Sequence, residues 1–309
     1  MSTISLRLPS FAKINRLLRV LGKRPDGYHE VLTVLQTISL CDDLEFELRT
    51  DGKLTLVCDD PRIPTDETNL IIKAANALKE KLETPLGADI KLAKRIPAQG
   101  GLGGASSNAA VTLIGLNALW RADFESTHWK RIGWDLGADV PFFTIGGRCI
   151  ASGIGANLLP VMDGPRQFLI IVTPNARIAT PKAYAALNAG SLTSVDTIPI
   201  LSSSFERLFA SYSKQWPKPY NDFERVIFEI EPEIERAKSA LLEAGVREAL
   251  LTGSGSSVFG VVDDEAMRDR VIDNLKCEVG WQVFSCETLS RAEYFEAMKP
   301  SGFPLFTLS

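Results

Sequence analysis

Residues 97–120 read PAQGGLGGASSNAAVTLIGLNALW, four glycines and two serines directly before a run with helical apolar spacing. The preceding ADIKLA has the pattern of a short strand, so the glycine stretch joins a strand to a helix. Glycine lets a backbone turn tightly and approach closely, and the amide groups that open a helix point toward whatever lies before it. Gly100, Gly101, Gly103 and Gly104 suit an anion site of that kind. The plainer alternative is a strand-to-helix turn capped by Ser106 or Ser107. Four glycines exceed what a cap requires, because each loses conformational entropy on folding, and this favours the anion. The two common phosphate patterns fail here: GxxxxGK[ST] is absent, and GxGxxG breaks because Ser106 follows Gly101 and Gly103.

Before that unit the chain reads as β-rich. TISLRL alternates, FAKINRLLRVLGK after Pro9 reads as a second extended stretch, and RPDGYHE supplies a turn. Residues 31–40 and 44–48 are further strands, Asp51-Gly52 is a hairpin turn before KLTLVC, and helical spacing runs from Asn69 to Leu82. A helix is expected over 125–137. The second half begins with QFLIIVTP, a buried strand. It then alternates helices (181–188, 201–213, 231–244, 264–276) with strands (249–252, 257–262, 281–286), which suggests helices on one face of a small sheet. SLTSVDTIPILSSS is the loosest stretch, and the tail from Pro300 is turn-rich. The spacing predicts two domains, 1–155 and 156–309. A second glycine-serine loop, LLTGSGSSVFGVV, is open to two readings: a tight hairpin, or a partner that meets the first loop across a cleft.

Composition narrows the function classes. A net charge of -4 leaves no basic surplus for a nucleic-acid backbone. No apolar run approaches the ~18 residues needed to span a bilayer. Five scattered cysteines (Cys41, Cys58, Cys149, Cys277, Cys286) without CxxC spacing read as reduced thiols of a cytoplasmic protein.

Three segments in order, PSFAKINRLL, PAQGGLGGASSNAA and LTGSGSSVFG, resemble the GHMP kinase superfamily over most of the chain. The added GKRPDGYHEVLTVLQ and LGADVPFF are similar to the branch that passes the γ-phosphate of ATP to the 2-hydroxyl of 4-diphosphocytidyl-2-C-methylerythritol, a step toward isoprenoids. The resemblance implies an α+β, two-domain GHMP kinase fold, with an N-terminal ribosomal-protein-S5-like domain and a C-terminal ferredoxin-like domain. It begins at Pro9 and includes Lys13, so the basic N-terminus is expected to belong to the working enzyme and not to a cleaved leader.

By that resemblance Asp139 and Lys13 are the catalytic pair, although an isolated Asp is ordinarily a turn residue and a strand Lys ordinarily exposed. Asn15, Tyr28, His29, Thr180 and Tyr184 are implied substrate contacts. Tyr28 and Tyr184 stack on the cytosine and His29 bonds its edge. Pro97, Ala98, Gln99, Gly100, Gly101, Leu102, Gly103, Gly104, Ala105, Ser106 and Ser107 wrap the ATP phosphates, with Asn69 and Lys94 toward the adenine side. Gly253, Ser254, Gly255 and Ser256 brace the pocket from the second half. No carboxylate stands out as a metal ligand, so Mg²⁺ is expected to arrive on ATP. His128 is left as a surface residue, and the expected assembly is a monomer or homodimer. Phe11, Arg16 and Leu35 depart from the family pattern, standing where proline, leucine and, in some relatives, an aromatic near the ribose are found. The rivals are a kinase of this fold acting on another alcohol, such as homoserine or mevalonate, and a non-catalytic ligand sensor. PDGYHE speaks against the first, and the presence of both Lys13 and Asp139 against the second.

Overall fold

The computed structural model of the protein describes residues 4–122, 126–188, 190 and 218–299, with the backbone alone for 126–130. The helix expected over 201–213, the stretch SLTSVDTIPILSSS, the tail from Pro300 and the His128 side chain lie outside the described residues.

Two long strands, β1 (Ser5–Lys23) and β2 (His29–Arg49), form an antiparallel hairpin around the RPDG turn. Each was expected as two strands. The ladder continues through both because irregularities absorb the bends without ending the pairing: extra residues on β2 opposite Phe11 and Ala12, and bulges on β1 between Asn15 and Leu17 and between Val20 and Gly22. β3 (Leu54–Cys58) and β4 (Gly87–Ala93) extend this sheet in the order β3-β4-β2-β1. The Asp51-Gly52 turn is therefore not a hairpin: β4 pairs with β2, and β3 is displaced to the far side of β4, parallel to it. β5 (Arg148–Ser152) pairs with β2, and β6 (Asn157–Pro160), beyond residue 155, pairs with β5.

Helix α1 (Leu70–Leu82) starts where Asn69 caps the Ile71 amide and buries Ile71, Ile72, Ala74, Ala75 and Leu78. Helix α2 (Gly104–Leu119) is buried from Ser107 through Leu119, as a helix apolar on all sides must be. α3 (Ser126–Leu136) follows, then a 3-10 turn over Val140–Thr144.

A second sheet combines β7 (Phe168–Thr173), β9 (Glu248–Leu251), β10 (Val258–Val262) and β11 (Gln282–Glu287) in the antiparallel order β11-β7-β10-β9. One face carries α4 (Thr180–Leu187), α5 (Glu224–Ile230), α6 (Pro232–Glu243) and α7 (Glu265–Leu275) over a core including Ile170, Val172, Ile227, Leu241 and Val258. The other face packs on the first sheet through Ala12, Ile14, Ile38, Leu169, Ile171, Leu250 and Phe259. The molecule is thus layered helix, sheet, sheet, helix. The chain crosses back twice: the short β8 (Tyr220–Asn221) runs parallel beside β1, and α8 (Arg291–Ala297) buries Tyr294 in the first core. All five cysteines are free, and no helix among the described residues is long and apolar enough to cross a membrane.

Candidate active site

Alternation along β1 sends Ala12 and Ile14 into the intersheet core and leaves Lys13 and Asn15 on the opposite face, toward the start of α2. There the Lys13 ammonium lies 3.5 Å from the Asp139 carboxylate and donates to Asn15 Oδ1 at 2.7 Å. Lys13 is 4% exposed, so its charge has little water around it and depends on these acceptors. Asp139, at the head of the 3-10 turn, keeps a side chain 36% exposed and makes no capping bond with it. Its oxygen is available to a substrate proton.

The glycine loop meets this pair from above. Lys13 N donates to Leu102 C=O at 2.9 Å, and a Cβ on Gly103 would stand 3.0 Å from Lys13 Cγ and 2.8 Å from the Phe143 ring. Gly101 and Gly103 sit at φ +73° and +72°, which side chains rarely adopt. A Cβ on Gly101 would come 2.2 Å from Thr252 C=O. Ser257 N donates to Gly100 C=O at 3.1 Å, so the two glycine-serine loops touch, although the second is also the β9–β10 hairpin. The amides of Gly104, Ala105 and Ser106 find no acceptor among the described residues, and Gly103, as N-cap, offers no side chain. Three donors at the positive end of a long helix therefore face outward, the geometry that binds anions.

Some residues assigned to ATP are occupied elsewhere. Ser107 N donates to Gly103 C=O, and its fully buried hydroxyl lies 2.8 Å from Ser10 Oγ, inside the core. Leu102 is likewise a core side chain and contributes only backbone. Asn69 caps α1 through Oδ1 and donates Nδ2 to Pro64 C=O at 2.6 Å. Lys94 forms a buried pair with Asp42 at 2.9 Å and donates to Ile96 C=O. Asp42 in turn accepts from the Arg95 and Ile96 amides, each at 2.7 Å. Both residues frame the loop. Lys94 also stands 3.4 Å from where a Gly104 Cβ would lie, which brings its charge to the helix start.

On the substrate side, His29 stacks on Tyr184 with ring centroids 4.7 Å apart and planes at 24°. Tyr184 is braced edge-on by Phe223, and burial followed by the nearby Asp139 charge pushes its hydroxyl up to about 12. The aromatic subsite and the carboxylate are therefore neighbours. Burial, then the Lys23 charge, lowers the His29 pKa, so its ring is neutral at pH 7. Tyr28, at the hairpin turn, is 62% exposed. Thr180 opens α4 with its hydroxyl 3.1 Å from Ser254 Oγ. Leu35 is 1% exposed in the first core, and Phe11 packs beside Tyr294 in the same core. Arg16 occupies the bulge of β1 and turns to Gln167 and Glu248 of the second half.

Residues that the motif reading passed over complete the frame. Asn221 donates to the carbonyls of both Leu251 and Gly253 at 2.8 Å, holding the second loop to β1's neighbour strand. Thr252 Oγ1 accepts from Asn15 N at 3.1 Å. Thr252 is the second residue of the LTGSGSS segment and could have been singled out there, whereas Asn221 has no local signature.

Comparison with known proteins fits this arrangement. Residues 69–147 match the GHMP kinases N terminal domain and residues 203–280 the GHMP kinases C terminal region, which sets the class as a small-molecule phosphotransferase of that fold. The chain is 39% identical over 275 residues to a 4-diphosphocytidyl-2-C-methyl-D-erythritol kinase of Pseudomonas syringae pv. syringae, covering 88% of this chain and 90% of that one. It is 37% identical over 284 residues to the kinase of that name from Syntrophus aciditrophicus, covering 92% and 99%. A solved structure of 4-(cytidine 5'-diphospho)-2C-methyl-D-erythritol kinase superposes with a TM-score of 0.74 at 30% identity, covering 91% of this chain and 98% of that one. The chain belongs to the 4-diphosphocytidyl-2-C-methyl-D-erythritol kinase family.

Proposed function

We propose that the protein transfers the γ-phosphate of ATP to the 2-hydroxyl of 4-diphosphocytidyl-2-C-methyl-D-erythritol, in the methylerythritol phosphate route to isoprenoids. The observation that carries the mechanism is the 3.5 Å approach of Lys13 to Asp139 directly beneath the glycine loop. The outward amides of Gly104, Ala105 and Ser106 receive the nucleotide's phosphates, with the loop from Pro97 to Gly103 as their wall. Asp139 accepts the alcohol proton, the freed oxygen forms the new P–O bond, and the bond from Pγ to the β-phosphate oxygen breaks to leave ADP. The Lys13 ammonium faces the Asp139 carboxylate at 3.5 Å and offsets charge on the acceptor oxygen as its proton leaves. The cytosine is held by Tyr28, His29 and Tyr184. Thr180 and the remaining N–H of the Asn15 amide serve the polar part of the substrate, and Gly253 to Ser256 close the pocket from the second half.

Mg²⁺ would enter with ATP and would supply positive charge to its phosphates. A donor set made of backbone amides suits an anion that brings its own cation. The reading sets the enzyme in the cytoplasm, in keeping with five free cysteines, as a monomer or homodimer.

The test is an ADP-release assay with Mg-ATP and the cytidine substrate, with the product identified by mass. Lys13→Ala and Asp139→Ala should each lose at least about a hundredfold in kcat while melting like the parent. Full turnover by Asp139→Ala would remove the base assignment, and phosphorylation of homoserine or mevalonate in preference to the cytidine alcohol would remove the substrate.

A further inference from the structure

Asn15 Oδ1 is the nearest acceptor to the Lys13 ammonium, at 2.7 Å against 3.5 Å for Asp139, so the seat of the lysine depends on which way the Asn15 amide faces. We propose that Thr33 is a positioning residue for the phosphoryl transfer: its hydroxyl fixes the orientation of the Asn15 amide and through it the place of Lys13. The inference rests on the reading of Lys13 and Asp139 as the reacting pair.

A threonine hydroxyl has one proton. Thr33 donates its proton to the Leu17 carbonyl at 2.7 Å, and a carbonyl can only accept. Toward Asn15 the Thr33 oxygen can therefore only accept, and it takes a bond from Nδ2 at 2.7 Å. With the amide nitrogen so held, Oδ1 must face Lys13. A reversed amide would set NH₂ against the ammonium, donor against donor, and would press its oxygen on the lone pairs of Thr33. Water cannot repair that mismatch, because Lys13, Asn15 and Thr33 are 4%, 3% and 5% exposed.

The backbone explains why this threonine is the one in place. β1 bulges between Asn15 and Leu17, and Thr33 on β2 stands opposite Leu18, just past the bulge. From there its hydroxyl reaches the Leu17 carbonyl and the Asn15 amide at once, and ties the two sides of the irregularity together. Thr252 of the second half accepts the Asn15 backbone N–H at 3.1 Å, and its hydroxyl reaches Asn15 Oδ1 only at 3.4 Å, so the shorter Thr33 bond at 2.7 Å is the stronger restraint on the side-chain amide.

The test is steady-state kinetics on full-length Thr33→Val, Thr33→Ser, Asn15→Ala and the Asn15→Ala/Thr33→Val pair, with ATP and the cytidine substrate. Valine keeps the shape and suits a buried strand. Thr33→Val should lower kcat about tenfold or more, with the KM for ATP within about twofold and melting within a few degrees of the parent. Thr33→Ser, which keeps the hydroxyl, should recover to within about threefold. In the Asn15→Ala background Thr33→Val should change little, because the amide it orients is gone. Unchanged kcat in Thr33→Val, no recovery with serine, or losses that multiply in the double variant would each overturn the relay while leaving the kinase reading intact. Absence of turnover by the parent enzyme would overturn that reading and the relay with it.

Discussion

At the scale of single residues, the site joins a neutral ring to a charged pair. His29 is half-buried against Tyr184 and close enough to Lys23 for that charge to disfavour its imidazolium form, so its pKa lies below the usual value of about 6.5. A neutral imidazole can both donate to and accept from a cytosine edge, and loses the acceptor when it protonates. The KM for the cytidine substrate is therefore expected to stay flat from about pH 7 upward and to climb as pH falls below about 6. His29→Gln should abolish the climb. A KM that changes across neutrality in the parent enzyme would count against His29 as the base-reading group. Tyr28 is 62% exposed, and its replacement by alanine should raise the KM for the cytidine substrate up to about tenfold while leaving that for ATP within about twofold, since a stacking ring touches only the base. Equal effects on the two substrates would place the ring elsewhere. As the proposed reacting pair, Lys13 and Asp139 stand out in sequence only through the company they keep in FAKIN and LGADVPFF, since a lone strand lysine or turn aspartate carries no chemical signature. Thr33 and Asn221 were not legible at all. Their roles are directional hydrogen bonds between strands far apart in sequence, and no local pattern encodes which lone pair faces which proton.

At the scale of elements, the strand, glycine loop and helix unit was readable because composition and periodicity agree there. The reason for the glycines was less so. Their number argued for close approach of an anion, yet two of them answer to the protein itself: Gly101 lies against Thr252 and Gly103 against Lys13 and Phe143, both with positive φ. The loop is shaped by contact with the second half, and that shape turns the α2 amides outward. Gly101→Ala should consequently do more than stiffen a loop. Strain of roughly 1–3 kcal/mol at that φ adds to a clash of its Cβ with the Thr252 carbonyl, which pushes the loop off its partner. kcat/KM for ATP should fall about a hundredfold, and thermal melting should drop as well. A variant with the parent's ATP kinetics would show that the loop does not need this contact. The strands misread as pairs fail for a related reason. Pro9 and the bulges look like breaks in a linear reading, but a strand held in a long ladder by its neighbour bends at a bulge and continues. The β3 error is one of pairing: β4, contributed from beyond α1, takes the place beside β2 that proximity in sequence would have given to β3.

At the scale of the whole molecule, the proposed base Asp139 depends on the far end of the chain. The turn that follows Asp139 is underlain by Tyr294 of α8, which is fully buried, donates its hydroxyl proton to the Phe143 carbonyl and fills the space beside Gly146, where a Cβ would meet its ring. A start signal for α8 is present in the sequence, with Ser290 and Glu293 forming a capping box, but nothing local says that this helix crosses back to the first core. Such a return ties the end of the chain to the core beneath the site. Tyr294→Phe should cost about 1 kcal/mol in urea unfolding and lower kcat more than either KM, since it loosens the turn that carries the carboxylate without touching either substrate. Tyr294→Ala should cost about 3–5 kcal/mol by leaving a cavity in the first core. Because that core also seats α2, the melting of glycine-loop function and of global structure should coincide in this variant. An alanine variant whose first half unfolds at the parent's urea concentration would show that α8 merely rests on the core, and that Asp139 is held by the 3-10 turn alone.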